Sequence, residues 1–197
     1  MLLETIISLN LGSSEIADAL GKTGSLEVQP INSGKKVCGE CYYIPAFDNT
    51  NWNVHEKIKS IPEKAVAVIV GINTDRAIIG DLICEYLFEF KKVTAVVVIG
   101  KIRDIQTIKN HTWPVWCRGF SPVGAFNKKT LPSEDSTCQS IVWEKMLEDT
   151  IVICDETGVV VIKKDFPIED VIAISEKEKF WHEQLRWGKS TFEIVCE

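Results

Sequence analysis

The chain reads as α/β, a parallel β-α-β-α core joined to a second, more antiparallel layer. The runs AVAVIV (65–70) and VTAVVVIG (93–100) are continuously apolar, as strands covered on both faces are. Each leads into a segment with helical periodicity, so the strands are joined by crossovers and run parallel. After Pro114 the pattern shortens to VWCRGF, CQSIVW, TIVICD and GVVVIKK, strand-length runs divided by turn residues.

Along the chain, SSEIADALGKTG predicts a short amphipathic helix. Ser13 or Ser14 is its N-cap, Ile16, Ala19 and Leu20 face inward, and Gly21 or Gly24 ends it. KKVCGECYYI reads as a strand. NWNVHEKIKSI reads as a helix stopped by Pro62, with Asp48-Asn49 either capping it or facing a subunit neighbour. From about Gly80-Asp81, residues Leu82, Ile83, Tyr86, Leu87 and Phe90 recur at helical spacing. A further helix starts near Asp104, after the second apolar strand. The last helix covers about 167–187, with Asp165 as N-cap, Pro167 in its first turn and Glu169-Asp170 complementing its dipole. No repeat, low-complexity tract or linker interrupts the pattern, so residues 1–197 read as one domain.

Of the 197 residues, 45% are hydrophobic and 25% charged, which is ordinary for a globular protein. With 22 basic against 28 acidic residues the net charge is −6, and the lysine doublets are scattered, so no nucleic-acid partner is expected. No apolar run reaches the roughly 18 residues of a membrane span. The early Glu4, with no basic stretch before the first apolar one, argues against a signal peptide and makes the cytoplasm the default. Seven cysteines fit free thiols in a reducing compartment. The lone C-x-x-C at Cys38 and Cys41 falls in a strand and reads as structural. His55, His111 and His182 form no ligand spacing and read as surface or interface residues. Asp155 reads as a turn residue, and Trp113, Trp116, Trp143, Trp181 and Trp187 as core or interface aromatics.

Ligands of open α/β sheets sit beyond the carboxyl ends of the parallel strands. Two loops meet that condition here, 71–82 and 100–105, and neighbouring strands would bring them together. The first ends at Gly80-Asp81, where a helix begins; the free N–H groups of Leu82 and Ile83 would form an anion site for a carboxylate or phosphate. The second supplies Arg103 and Asp104. A guanidinium can hold a carboxylate or carbonyl in its plane, and an aspartate can bind a hard cation through oxygen. The same dipeptide also reads as an N-capping Asp beside a solvated Arg, and spacing alone leaves both readings open.

Gly-Asp at a helix start (80–81), followed after the next strand by Gly-x-x-Arg-Asp (100–104), resembles the RraA-like family. That family comprises regulators of ribonuclease E activity and metal-dependent 4-hydroxy-4-methyl-2-oxoglutarate aldolases. The weaker stretches IADALGKTG, INSGKKVCGECYYI, FDNTNWNVH, WPVWCRGFSPVG, IVICDETGVVVI and EQLRWGKSTFE extend the likeness nearly end to end. The resemblance implies a three-layer β/β/α fold of the swivelling-domain type. It also implies a homotrimer or hexamer with sites between subunits, the C-terminal helix lying at the interface.

For function the resemblance implies a class II, divalent-metal-dependent lyase that cleaves a small 2-oxo acid by aldolase or oxaloacetate decarboxylase chemistry. Asp104 would bind Mg²⁺ or Mn²⁺, largely through water. Arg103 would contact the 2-oxo acid and stabilise its enolate. Gly80, Asp81, Leu82 and Ile83 would line the helix tip that receives the carboxylate, with Asp81, or a metal-polarised water, taking the C4 hydroxyl proton. Glu178 of a neighbouring subunit would approach the metal water, with Glu176 and Glu183 as rivals. Permanent charge at Arg103 suits an enolate, which gains negative charge only as the carbon–carbon bond breaks. The alternative is a non-catalytic regulator that binds a ribonuclease. Three features depart from the family pattern: Ile99 where Asp is frequent, only Gly71 before Gly80 in the first loop, and 22 residues between Gly80 and Arg103, one more than usual.

Overall fold

Nine strands form one continuous curled sheet in a computed structural model that describes residues 2–196. The order along the sheet is β1 (Ser25–Leu26), β9 (Val159–Lys163), β8 (Thr150–Cys154), β3 (Val37–Phe47), β4 (Val66–Ile72), β6 (Ala95–Ile102), β7 (Val115–Phe120) and β2 (Gln29–Pro30), with β5 (Ala77–Ile79) beside β6. The strand β3 makes the fold. Its first residues, Val37 to Glu40, pair antiparallel with β8, and Cys41 to Phe47 pair parallel with β4. Gly39 lies where the chain passes between the two sheets, and a Cβ there would come within 2.8 Å of the Lys64 carbonyl.

Strand alternation then assigns every layer. On β4, Ala67 and Ile69 face the helices α3 (Trp52–Lys57), α4 (Asp81–Glu85) and α5 (Ile105–Asn110), whose Val54, Ile83 and Ile108 share that core. The other face of β4, with Val66, Val68 and Val70, packs against Val152, Cys154, Val159 and Val161 of the antiparallel sheet. This is the predicted β/β/α arrangement. A further helical layer covers the outer face of the antiparallel sheet: Ile151, Ile153, Val160 and Ile162 pack against α1 (Leu2–Ser8), α2 (Ser13–Ala19) and α7 (Ile168–Arg186). Ile69 and Ile99 are essentially solvent-free, and truncating either to alanine would cost about 2–5 kcal/mol.

Four details differ from the sequence reading. CQSIVW is not a strand but part of α6 (Glu134–Leu147), whose inward residues Ser136, Trp143 and Leu147 keep helical spacing while Ile141 and Val142 are exposed. Asp48 does not cap α3. Its carboxylate accepts from Ser133 N–H and Ser136 Oγ at the start of α6, and these bonds, led by the Ser133 amide, hold its carboxyl below the usual range. The N-cap of α7 is Pro167, not Asp165. The N-cap of α2 is Gly12, not Ser13 or Ser14. Cys38 and Cys41, three apart on one strand, pack on opposite faces, so they cannot share a ligand; burial pushes the Cys41 thiol up to about 11.

Past α4 the helix widens into a π turn over Tyr86–Phe90, closed by Lys91 N–H donating to the Tyr86 carbonyl at 3.1 Å. One extra residue per turn is the size of the departure in the interval from Gly80 to Arg103.

Candidate active site

The site stands at the carboxyl ends of β5 and β6. These short parallel neighbours are tied where they end: Arg103 N–H donates to the Ile79 carbonyl at 3.0 Å. The two loops singled out in the sequence therefore do meet, although part of the first is the strand β5. A third segment closes the arrangement. Ala77 exchanges backbone bonds with Val123 and Ala125, which lays Gly124 alongside.

Two glycines make room for Arg103. A Cβ on Gly80 would lie 3.1 Å from Arg103 Cγ and collide with Asp104 Oδ2, and one on Gly124 would reach Arg103 Nη1 at 2.7 Å. The guanidinium is thus clasped between two backbones. Its Nε pairs with Asp104 Oδ2 at 3.2 Å, and its terminal nitrogens take no hydrogen-bond partner among the described residues.

Asp104 occupies the N-cap position of α5, yet its side chain caps nothing. Its backbone is left-handed, with φ of 58°, a conformation Asp tolerates better than most residues and one often kept at functional sites. Of the two readings open in the sequence, the capping one is therefore excluded. Asp81 opens α4, and its Oδ1 accepts from Leu82 N–H at 2.7 Å. One of the two amides expected to face a ligand is thus already covered by a carboxylate, which leaves Ile83.

A cavity of about 120 Å³ is lined by Gly80, Asp81, Leu82, Ile83 and Arg103 together with Asn51, His55, Gly124 and Asn127. Asp104 does not line it. Asp104 borders an adjoining depression with Phe120 and Ser121, and Arg103 is the side chain common to both. Glu178 lines neither. It sits on α7 facing α2, where burial first, then the nearby Glu15 and Asp18, push its carboxyl up.

Sequence reasoning missed four of these residues. Asn51, at the N-cap of α3, and His55 are four apart, so one helix face delivers both, and that spacing was the available signal. Gly124 and Asn127 carried none. Asn51 donates from Nδ2 to the Ile78 carbonyl at 3.1 Å, which fixes the amide orientation and leaves Oδ1 buried without a partner. A buried acceptor left so costs about 1–3 kcal/mol.

Among the described residues no group of three His, Cys, Asp or Glu side chains is arranged around a metal position. The donors present are Asp104 Oδ1, free of the ion pair, and whatever water surrounds it. Such a set does not fit structural zinc, which needs four protein ligands. It fits a hard cation that keeps most of its water, which is the habit of Mg²⁺.

The RraA-like family model, described as Aldolase/RraA, matches residues 13–161. Protein DlpA of Legionella pneumophila is 29% identical over 167 residues, which is 80% of this chain but only 27% of that longer relative. A protein of Halalkalibacterium halodurans named a putative 4-hydroxy-4-methyl-2-oxoglutarate aldolase is 26% identical over 152 residues, 76% of this chain and 71% of its own. An uncharacterized protein from Pseudomonas syringae has the same fold, with a TM-score of 0.74 at 20% identity over 99% of this chain and 92% of that one. The family holds both aldolases and ribonuclease E inhibitors. With a matched region that spans the clasped arginine, its aspartate neighbour and both sheets, this chain belongs to the Aldolase/RraA family.

Proposed function

We propose that the protein is a divalent-metal-dependent carbon–carbon lyase acting on a small 2-oxo acid, by retro-aldol cleavage, by decarboxylation of oxaloacetate, or by both. The observation that carries this reading is Arg103. It is clasped by Gly80 and Gly124, oriented through Nε by a carboxylate that caps no helix, and left with both terminal nitrogens for a ligand.

The substrate's carboxylate and keto oxygen would lie against the terminal nitrogens of Arg103 in bidentate geometry. As the bond breaks, negative charge moves onto the keto oxygen, and Arg103 stabilises that enolate with a charge that cannot be lost as a proton. Asp81 stands at the cavity wall to take or return the hydroxyl proton. A Mg²⁺ or Mn²⁺ ion held by Asp104 would supply Lewis-acid polarisation of the same oxygen. Exposed Phe180, Trp187 and Phe192 near the C-terminus suit burial against a second copy in a trimer or hexamer.

The test is pyruvate release from 4-hydroxy-4-methyl-2-oxoglutarate and from oxaloacetate, with Mg²⁺ and then with EDTA. Turnover that needs the metal and is lost in Asp104→Asn supports the lyase. No turnover with either acid, together with capture of a ribonuclease, supports the regulator instead.

A further inference from the structure

The polar cavity has a continuation. His55, Leu82 and Ile83 line it on one side and, on the other, line a depression of about 320 Å³ whose remaining walls are Ile58, Lys59 and Tyr86. The second space is the larger, and its walls are mostly apolar. A ligand held at Arg103 that extends past His55 and Leu82 enters it.

Two lysines stand at this depression, and each has a partner in the fold. Lys59 Nζ pairs with Glu56 Oε1 at 2.9 Å. Lys91 Nζ donates to the Lys59 carbonyl and sits 6.0 Å over the Tyr86 ring. A second carboxylate placed there would meet mostly apolar walls and lysines that already have partners, Lys59 with Glu56 and Lys91 with the Lys59 carbonyl, so it would lose water for little return. Carbon would gain by the same transfer. Leu82, at the threshold between the two spaces, is 73% exposed, an apolar side chain that the described residues leave largely uncovered. Tyr86 lies at the joint where α4 becomes a π turn and stacks on Phe90 at 5.9 Å, and such turns are frequent at binding sites.

We propose that the site prefers a 2-oxo acid whose far end is an aromatic or branched apolar group, seated beyond His55 and Leu82 between Ile58 and Tyr86. The inference rests on the 2-oxo acid reading above and goes further, because it ranks an apolar far end above a second carboxylate such as that of 2-oxoglutarate.

Calorimetric titration of the full chain with Mg²⁺ present, using pyruvate, phenylpyruvate and 2-oxoglutarate, separates the two levels. Phenylpyruvate is expected to bind at least tenfold tighter than 2-oxoglutarate. Leu82→Ser and Tyr86→Ser are each expected to weaken phenylpyruvate several-fold more than pyruvate; Leu82 is exposed, so its replacement leaves the fold intact even if Tyr86→Ser does not. Pyruvate binding with no preference for phenylpyruvate over 2-oxoglutarate overturns this inference and spares the proposed function. Absence of binding by all three acids overturns both.

Discussion

Asp155 and Asp104 each follow a buried strand, and each lies against a glycine that opens a helix. Gly12 precedes α2 and Gly80 precedes α4; a Cβ on Gly12 would come within 2.8 Å of Asp155 Oδ2, and one on Gly80 would collide with Asp104 Oδ2. Beyond that the two junctions part. Asp155 accepts from Ser13 N–H at 2.6 Å, Ser13 Oγ at 2.7 Å, Thr157 N–H at 2.9 Å and Gly158 N–H at 3.2 Å. Asp104 pairs with Arg103 Nε alone among the described residues. At α4 the amide that might have reached it, Leu82 N–H, is turned to Asp81. A carboxylate beside a helix start becomes a structural cap when donors converge on it, and stays available for a ligand when they are directed elsewhere.

The largest expected effect tests the second half of that contrast. Asp104→Asn keeps a residue that accepts the left-handed backbone but removes the charge. Metal-dependent pyruvate release should fall by a factor of about 100 or more, roughly 3 kcal/mol of transition-state stabilisation. The thermal midpoint should barely move, because no cap is lost. A large drop in midpoint would show that Asp104 is structural after all.

Asp155→Ala should do the reverse. Removing the acceptor of three amides and a hydroxyl should cost about 2 kcal/mol of stability by urea unfolding, with turnover per folded molecule unchanged. The pH dependence follows in sign. Burial pushes the Asp155 carboxyl up, but its donors, Ser13 foremost, outweigh that and leave it below the usual value. A folded-state pKa lowered in this way adds stability above the unfolded value and loses it as pH falls through the folded one. The variant and the parent should therefore converge in stability towards strongly acid pH.

The two junctions were not equally legible. Asp155 looked like a turn residue because its partner, Ser13, lies far away in sequence, and only the pairing of β8 with β9 and the docking of α2 bring them together. The Arg103 site was legible because Gly80-Asp81 and Arg103-Asp104 each sit where an apolar strand meets a helix, and two such ends adjoin in a parallel sheet. The strands AVAVIV and VTAVVVIG were plain for the same reason. Gly124 reaches the cavity through long-range contacts, which leave no local pattern, whereas Asn51 shares only a helical spacing with His55. The helix α6 was misread because its apolar residues cluster at 141–143, and only its inward face shows the helical period.

Gly80→Ala carries the comparison to the glycines. A methyl group there must displace the Asp104 carboxylate or the Arg103 stem, so turnover should fall about tenfold, near 1.4 kcal/mol, with Mn²⁺ affinity falling alongside. Gly12→Ala meets Asp155 Oδ2 and Glu15 Oε2 instead, and should lower stability without touching turnover. Were both substitutions to affect stability alone, the two junctions would be equivalent and the difference drawn from their hydrogen bonds would fail.

Glu178 offers a third kind of acid, one with neither donors nor a clasped partner among the described residues. Burial and the facing Glu15 and Asp18 raise its carboxyl, while His182 and Lys22 work against them. A folded-state pKa raised in this way penalises the fold above that value; the penalty lifts as pH falls through it and is gone below the unfolded value. Glu178→Gln should accordingly be slightly more stable than the parent at pH 8, by less than about 0.5 kcal/mol because the side chain is only half-buried. At pH 4 the two should match. A gain of the same size at both pH values would mean that packing, rather than repulsion across α2 and α7, decides how this acid is tolerated.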